Sequence, residues 1–300
     1  MILVTGGTGF VGRALIRQLV TMGRPVRTLL RPSQRPPNLP RGVPVEVAVC
    51  SITDERGLRA SMKEVDIVYH LIGDERAGAS RADLTSVDIE GTSLVSQVAA
   101  EAGVRRFVYL SRLGADRASA FPLLKAKALA EASVIQHGMG YTILRSAAIY
   151  GPGDQFLTAM ARMMRLLPFF FVMPGDGSSL LQPIWIEDLV TCLAWVIEDD
   201  QFDGQTITVG GGEYLSYHEI VDMLMEVLGV RRTLVSVSPA YLRMIGLWID
   251  QFYKRLPVST FWLDTLAVDR TTALDTLPRL FGLMPARLSQ QIKELRDELR

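Results

Sequence analysis

Cysteine is nearly absent: Cys50 and Cys192 are the two thiols in 300 residues. They lie far apart and lack metal-ligand spacing, which excludes a disulfide framework and fits a reducing compartment. The three histidines, His70, His137 and His218, are scattered. No His-Glu-x-x-His, Cys-x-x-Cys or carboxylate cluster marks a metal site. Net charge is absent as well, since 32 basic residues balance 32 acidic ones. That balance argues against nucleic acid as a main partner. No run of about eighteen apolar residues occurs, so no spanning helix is expected. Met1 already belongs to an apolar strand, so no signal peptide is expected to precede it, and a cytoplasmic location is the expectation. The mean hydropathy of +0.21 is somewhat high for a soluble chain and keeps membrane-surface contact as an alternative. Repeats and low-complexity tracts are missing too.

What is present is concentrated at the start. Met1 to Thr5 is a short apolar stretch that reads as a buried strand. Gly6-Gly7-Thr8-Gly9-Phe10-Val11-Gly12 follows, and Arg13 to Val20 takes up helical spacing. Strand, glycine turn and helix in that order are the context of a dinucleotide fingerprint. Gly7, Gly9 and Gly12 fit G-x-G-x-x-G; Gly6, Gly9 and Gly12 fit the G-x-x-G-x-x-G variant. Bare backbone N–H groups at a helix N-terminus suit a pyrophosphate, and the last glycine allows close packing of helix on sheet.

Strand and helix patterns then alternate. Strands are expected at 26–30, 43–49, 66–71, 106–111 and 141–145, with helices at 84–102 and 125–136 among those between them. Such alternation predicts an α/β fold, a Rossmann-type doubly wound parallel sheet, with a smaller mixed C-terminal lobe. The expected division is a dinucleotide-binding domain over 1–154, with 183–200 packing back on it, and a substrate or partner lobe over 155–300. Ligands of such sheets bind at the carboxyl ends of the strands. Contacts are therefore expected from Gly6, Thr8, Gly9, Phe10, Val11 and Gly12, and from the strand ends Ser51, Ile52, Leu71, Ile72, Gly73, Ser111, Ser146 and Ile149.

An NAD-specific site usually carries an acid about twenty residues beyond the glycines. Leu30 and Arg31 occupy that place. A guanidinium there can pair with a 2′-phosphate, which favours NADP(H), with NAD(H) the alternative. Arg35 and Arg13 are further candidates, and a solvated surface arginine is the plainer reading of each.

The sequence resembles the short-chain dehydrogenase/reductase superfamily in its extended and atypical branches. The resemblance rests on Thr5 to Gly12, Val87-Asp88-Ile89-Glu90-Gly91-Thr92, the run Glu101 to Ser111, Leu144-Arg145-Ser146 with Tyr150-Gly151-Pro152-Gly153-Asp154, and Pro183 to Asp188. Within the superfamily it is most similar to the atypical group of the 39-kDa accessory subunit of respiratory complex I and its bacterial relatives, near the NmrA-like proteins. The resemblance implies NAD(P) binding and a C-terminal lobe closing over a substrate cleft. Active members use Tyr-x-x-x-Lys, with the tyrosine transferring a proton and the lysine holding the nicotinamide ribose and lowering the tyrosine pKa. By that pattern Ser111 is the carbonyl-orienting serine and Lys127 the ribose lysine. Leu123 stands four residues before Lys127, and in the other register Phe121 stands before Lys125. Neither can carry a proton. Asp88 replaces the family's asparagine, and Ser51 replaces an aspartate after the third strand.

Two substitute acids are available, Tyr150 just past the sixth strand and Asp116 after the fifth. His70 either lines the cleft or is a satisfied structural histidine. The aromatic run Phe169-Phe170-Phe171-Val172-Met173 cannot all face one core. It reads as a buried strand or flap, or else as a membrane or partner contact. Tyr241 to Tyr253 reads as a helix packed on the lobe or an interfacial helix. The tail from Leu288 is expected to be a solvated polar helix.

Two functions remain. One is an NAD(P)(H)-binding sensor, assembly or accessory protein without the usual tyrosine, partnered by a protein complex or membrane surface. The other is an NADPH-dependent oxidoreductase or epimerase-like enzyme acting on a small apolar ligand through a non-standard acid.

Overall fold

The computed structural model describes residues 1–33, 36–73, 81–238, 241–242, 244 and 270–299. The chain forms two compact units, one from Met1–Asp74, Arg81–Arg145 and Leu189–Thr208, the other chiefly from Ser146–Asp188 and Val209–Arg300.

The first unit is built on a seven-stranded sheet. Its strands are β1 (Ile2–Thr5), β2 (Val26–Leu30), β3 (Glu46–Val49), β4 (Ile67–His70), β5 (Arg106–Arg112), β6 (Gly140–Ser146) and β11 (Gln205–Val209), in the order β11-β6-β5-β4-β1-β2-β3. β1 pairs in parallel with β2 (Ile2 opposite Val26) and with β4 (Ile2 opposite Ile67). β1 and β4 are buried along their whole length, as strands covered on both faces by helices must be. At the far edge, β3 leaves Val47 and Val49 exposed, and it is shorter than the apolar run from Val43 suggests.

The helices of this unit are α1 (Phe10–Thr21), α2 (Glu55–Ser61), α3 (Arg81–Asp83), α4 (Thr92–Glu101) and α5 (Pro122–Gln136). The long helix expected over 84–102 is interrupted: Leu84–Gly91 is π-helical before α4 begins. α5 starts at Pro122, earlier than its apolar spacing implies, because proline at a first helical position lacks only a donor that has no partner there. Leu3, Val68, Val95, Phe107, Val134 and Ile143 share one core. The segment from Leu189 is tied to the sheet by two buried polar side chains. Tyr69 donates its hydroxyl to the Leu193 carbonyl at 2.7 Å. The buried Arg106 guanidinium donates to the carbonyls of Val196 (2.8 Å) and Asp199 (3.2 Å) and to the Asp200 carboxylate (2.8 Å).

The second unit has its own core of Tyr150, Leu157, Met160, Met164, Phe171, Ile220 and Leu224, among others. It comprises β7 (Ile149–Tyr150), α6 (Phe156–Leu166), β8 (Phe170–Pro174), β9 (Leu180–Leu181), β10 (Ile184–Trp185), the start of α7 (Ile186–Trp195), β12 (Leu215–Ser216), α8 (Tyr217–Leu228) and β13 (Thr233–Val237). The strands pair two by two: β7 with β10, β9 with β12, β8 with β13. A capping box between Ser216 and Glu219 starts α8, and left-handed Gly229 ends it. Strand alternation resolves the aromatic run. Phe171 and Met173 are buried and Phe170 (41% exposed) faces outwards, while Phe169 (81%) precedes the strand and is exposed.

The tail corrects its sequence reading. It forms two short helices, Leu288–Gln291 and Arg296–Leu299, not one solvated helix. Leu288, Ile292, Leu295 and Leu299 are buried in the second unit's core. Their spacing of four, three and four is one helical stripe, hidden by the charged residues between them. The helix expected over Tyr241 to Tyr253 lies outside the described residues except for Tyr241, Leu242 and Met244. No helix among the described residues is long and apolar enough to cross a membrane. No group of potential metal ligands occurs among them either.

Candidate functional site

The chain passes from β1 to β2 on one side and has β4 on the other. The reversal of strand order lies between β1 and β4, which is the place where open α/β sheets bind ligands. The glycine loop leaves β1 there. Gly6 has φ +77°, and a Cβ on it would lie 3.1 Å from the Leu71 carbonyl carbon beyond β4. A Cβ on Gly12 would lie 2.2 Å from the Gly6 carbonyl oxygen. The loop is thus closed on its own backbone. The Gly9 N–H donates to the Gly6 carbonyl at 2.9 Å and the Arg13 N–H to the Gly9 carbonyl at 3.0 Å. Gly9 is the N-cap of α1; no side chain caps it, and the first turn holds no acid. Thr8 and Gly9 are exposed, and Phe10 and Val11 are half-buried. A cradle that side chains would fill, opening on unscreened N–H groups, fits a pyrophosphate.

Arg31 is exposed just beyond β2. Ser51 and Ile52 form the turn after β3. The Ser51 hydroxyl lies 2.9 Å from that of Thr53, and Asp54 caps α2 by accepting from the Gly57 N–H. Leu71 and Ile72 line the exit of β4, half-buried, and Gly73 is exposed.

Behind Gly73 lies a buried ion pair, Lys127 Nζ 2.8 Å from Asp88 Oδ1. A Cβ on Gly73 would come within 2.5 Å of that ammonium. Lys127 also stands over the Tyr109 ring, 5.8 Å from its centre. Lys125, the alternative, is exposed. His70 is a fully buried structural histidine. Its Nδ1 is 2.9 Å from Thr5 Oγ1 and its Nε2 3.0 Å from Thr92 Oγ1. Burial, and then the charge of Lys127, depress its pKa to about 3, so it is neutral.

Ser111 is buried and committed. It donates its hydroxyl to Glu131 Oε1 at 2.5 Å, and Glu131 receives a two-pronged ion pair from Arg145 at 2.9 and 2.6 Å. Glu131 was not singled out in the sequence. The signal for it was a carboxylate one turn beyond Lys127 on α5, with Arg145 on the neighbouring strand β6. With its proton engaged, Ser111 offers a ligand lone pairs only. Leu123 is buried at the start of α5, and Phe121 is the residue before that helix. Asp116 is exposed in the loop after β5 and accepts from the Ala118 N–H at 2.9 Å.

Ser146, Ile149 and Tyr150 belong to the second unit. Ser146 donates to the Ala147 carbonyl at 2.9 Å, and Ile149 lies in β7 opposite Ile184. Tyr150 is fully buried against Trp185, and its hydroxyl has no hydrogen-bond partner among the described residues. Burial, with Asp188 and Glu213 adding repulsion, pushes its pKa well above the usual range, which makes it a poorer proton donor. Asp154 holds the turn into α6, accepting from the N–H groups of Gly151 and Thr158, both at 3.1 Å.

A doubly wound sheet with a glycine loop at its switch point defines a nucleotide-binding α/β protein. The family model described as NAD(P)H-binding matches residues 6–158, over half the chain, and the chain belongs to that family. The model of the NAD dependent epimerase/dehydratase family matches residues 124–210. The chain is similar to the mitochondrial NADH dehydrogenase (ubiquinone) 1 alpha subcomplex subunit 9 of Arabidopsis thaliana, with 29% identity over 235 residues, 75% of this chain. It spans 57% of that relative's length. It is also similar to a 3 beta-hydroxysteroid dehydrogenase/Delta 5-->4-isomerase of Mycobacterium tuberculosis, 26% identical and covering 90% of this chain and 80% of the relative. In fold it matches the UDP-glucose 4-epimerase of Thermotoga maritima, with a TM-score of 0.72, 22% identity and coverage of 99% and 97%. The resemblance read from the sequence is borne out. The chain is an atypical member of the short-chain dehydrogenase/reductase superfamily, of the complex I 39-kDa-subunit-like group.

Proposed function

We propose that this chain binds a nicotinamide dinucleotide as a structural or sensed ligand and serves as a sensor, assembly or accessory protein. One observation carries the reading: Leu123 is buried where the family's proton-transferring tyrosine belongs, while Lys127 is kept four residues on. Loss of a general acid removes about 10²–10⁴-fold in rate but leaves binding untouched.

The N–H groups of the Gly6–Gly12 loop would hold the pyrophosphate, with Thr8, Phe10 and Val11 around it. Arg31 would meet a 2′-phosphate, favouring NADP(H) over NAD(H). Ser51 and Ile52 would flank the adenine, and Leu71, Ile72 and Gly73 the middle of the ligand. Lys127 would reach the ribose, with Ser111 towards the nicotinamide. When bound, a nicotinamide can give or take a hydride. The raised pKa of Tyr150 and the committed proton of Ser111 leave these two residues poor partners for that chemistry. The accessory role is supported by the likeness to a subunit of NADH dehydrogenase. Exposed Phe169 and Phe170 suit a protein or membrane-surface partner, and a cytoplasmic setting fits the two free cysteines.

The alternative is an oxidoreductase or epimerase-like enzyme on a small apolar substrate, and the likeness to a steroid dehydrogenase favours it. Calorimetry with NADPH, followed by turnover assays on a panel of aldehydes and ketones, separates the two. Binding with negligible turnover is expected. Robust NADPH oxidation that persists in Tyr150→Phe and Asp116→Asn would overturn the non-enzymatic reading.

A further inference from the structure

We propose that the turn from α6 into β8 docks the second unit onto a lipid bilayer carrying anionic headgroups. The inference rests on the accessory reading above and deepens it: of the two partner classes that suit Phe169 and Phe170, it selects a lipid surface. Met160, Ala161 and Met164 of α6 are buried in the second unit's core. Arg162, Arg165 and Leu166 share the opposite face at helical spacing, and all three are exposed. Leu166 is 66% exposed at the end of the helix, and Phe169 is 81% exposed in the turn that follows. The Phe169 carbonyl accepts from the Thr233 N–H at 3.1 Å, which fixes the turn beside the start of β13. Thr233 stands opposite Phe170 and Val235 opposite Val172. Phe170 and Val235, each 41% exposed, therefore extend the apolar tip along one face of the strand pair.

The rim of the tip is basic. Residues 155–174 and 229–238, the two stretches that build it, hold four arginines and no acid. Arg165 donates to the Leu299 carbonyl at 2.8 Å and Arg232 to the Met164 carbonyl at 3.1 Å. Arg162 and Arg231 are exposed, and neither side chain has a hydrogen-bond or ion-pair partner among the described residues. Asp222 and Glu226 of α8 share a groove with Arg231 and Arg232, so that flank is mixed in charge. Glu298 of the tail accepts from the Gly153 N–H, at the other end of α6. A stable protein contact buries about 800 Å² on each partner. The exposed parts of four apolar side chains fall short of that area. They are enough to enter the boundary between headgroups and acyl chains, where unpaired guanidinium groups meet lipid phosphates.

The test is vesicle flotation of the full chain, with phosphatidylcholine alone and with phosphatidylcholine mixed with phosphatidylglycerol. Binding to the mixed vesicles and little to the neutral ones is expected. Arg162→Gln and Arg231→Gln should each weaken it about fivefold, the size expected of one basic residue at an anionic surface. Raised salt should weaken it further. Leu166→Ser with Phe169→Ser should abolish it, and all of these changes fall on exposed side chains. Absence of binding to the mixed vesicles, equal binding to both kinds, or binding that survives the double serine change would each overturn the inference. A wild-type dimer in sedimentation that dissociates in the double serine variant, with no vesicle binding, would assign the tip to a second copy and overturn it too. NADPH calorimetry on the same samples reads the dinucleotide site separately. Wild type that binds NADPH but no vesicles would remove the lipid partner and leave the dinucleotide reading standing.

Discussion

Gly9→Asp separates binding from folding, because the two effects have opposite causes at one residue. Gly9 caps α1 with φ −72° and ψ 172°, extended backbone that any residue adopts. The helix lacks a capping side chain and has no acid in its first turn. An aspartate there gains a cap and a favourable dipole contact, about 0.3–1 kcal/mol. Against this, its Cβ would sit 3.1 Å from the Gly6 carbonyl oxygen, a tight contact that offsets part of the gain. Folding stability should therefore change by less than about 1 kcal/mol either way. Binding should not be spared. A carboxylate about 5 Å from one pyrophosphate charge costs roughly 3 kcal/mol at an effective dielectric of about 20, or roughly a hundredfold in affinity. Gly12→Ala is the contrasting case. Its Cβ would strike the Gly6 carbonyl oxygen at 2.2 Å and the Gly7 Cα at 2.8 Å, backbone atoms that cannot rotate away. It should lose about 1–3 kcal/mol of stability and binding together. Urea midpoints and NADPH calorimetry on both variants read the two effects apart. Wild-type NADPH affinity in Gly9→Asp would refute the assignment of the pyrophosphate to this loop.

Two further outcomes follow from single residues. Arg31→Ala should narrow a preference for NADPH over NADH by up to about tenfold, the lower end for a charge-assisted contact because Arg31 is exposed; tighter wild-type binding of NADH than of NADPH would refute it. Burial raises the Asp154 pKa to about 6, above its unfolded value near 3.9, so the folded state holds the extra proton. Its contribution to stability is then complete below about pH 4 and is lost as pH rises to about 6, by roughly 3 kcal/mol at most. Urea unfolding across that range should slope downwards with pH, and Asp154→Asn should flatten the slope.

The sheet was legible because β1 and β4 are short apolar runs bounded by turn residues, and the glycine loop was legible because nothing larger fits its closures. Leu123 four residues before Lys127 is visible from identity alone, and what it says of the site belongs to the proposed function. The site was not legible where geometry decides. Nothing in the order of residues says that Ser111 gives its proton to Glu131, since the partners lie twenty positions apart on β5 and α5. The π-helical turn at Leu84–Gly91 is likewise silent in a 3.6-residue pattern, which registers apolar spacing and not the width of a turn. The buried stripe at Leu288, Ile292, Leu295 and Leu299 was obscured by charge, because seven charged or amide side chains crowd the same twelve positions.

The sheet's outermost strand carries a temporal cost. β11 begins about sixty residues after β6 ends, yet it is the strand that covers the β6 edge. On a ribosome adding about 5–20 residues per second, that edge stands open for several seconds, with unpaired N–H and C=O groups able to recruit another chain. A fragment stopping after Ser146 would keep the edge open permanently. The nascent protein thus passes through a window of vulnerability to self-association, and it closes only when Gln205 to Val209 emerge.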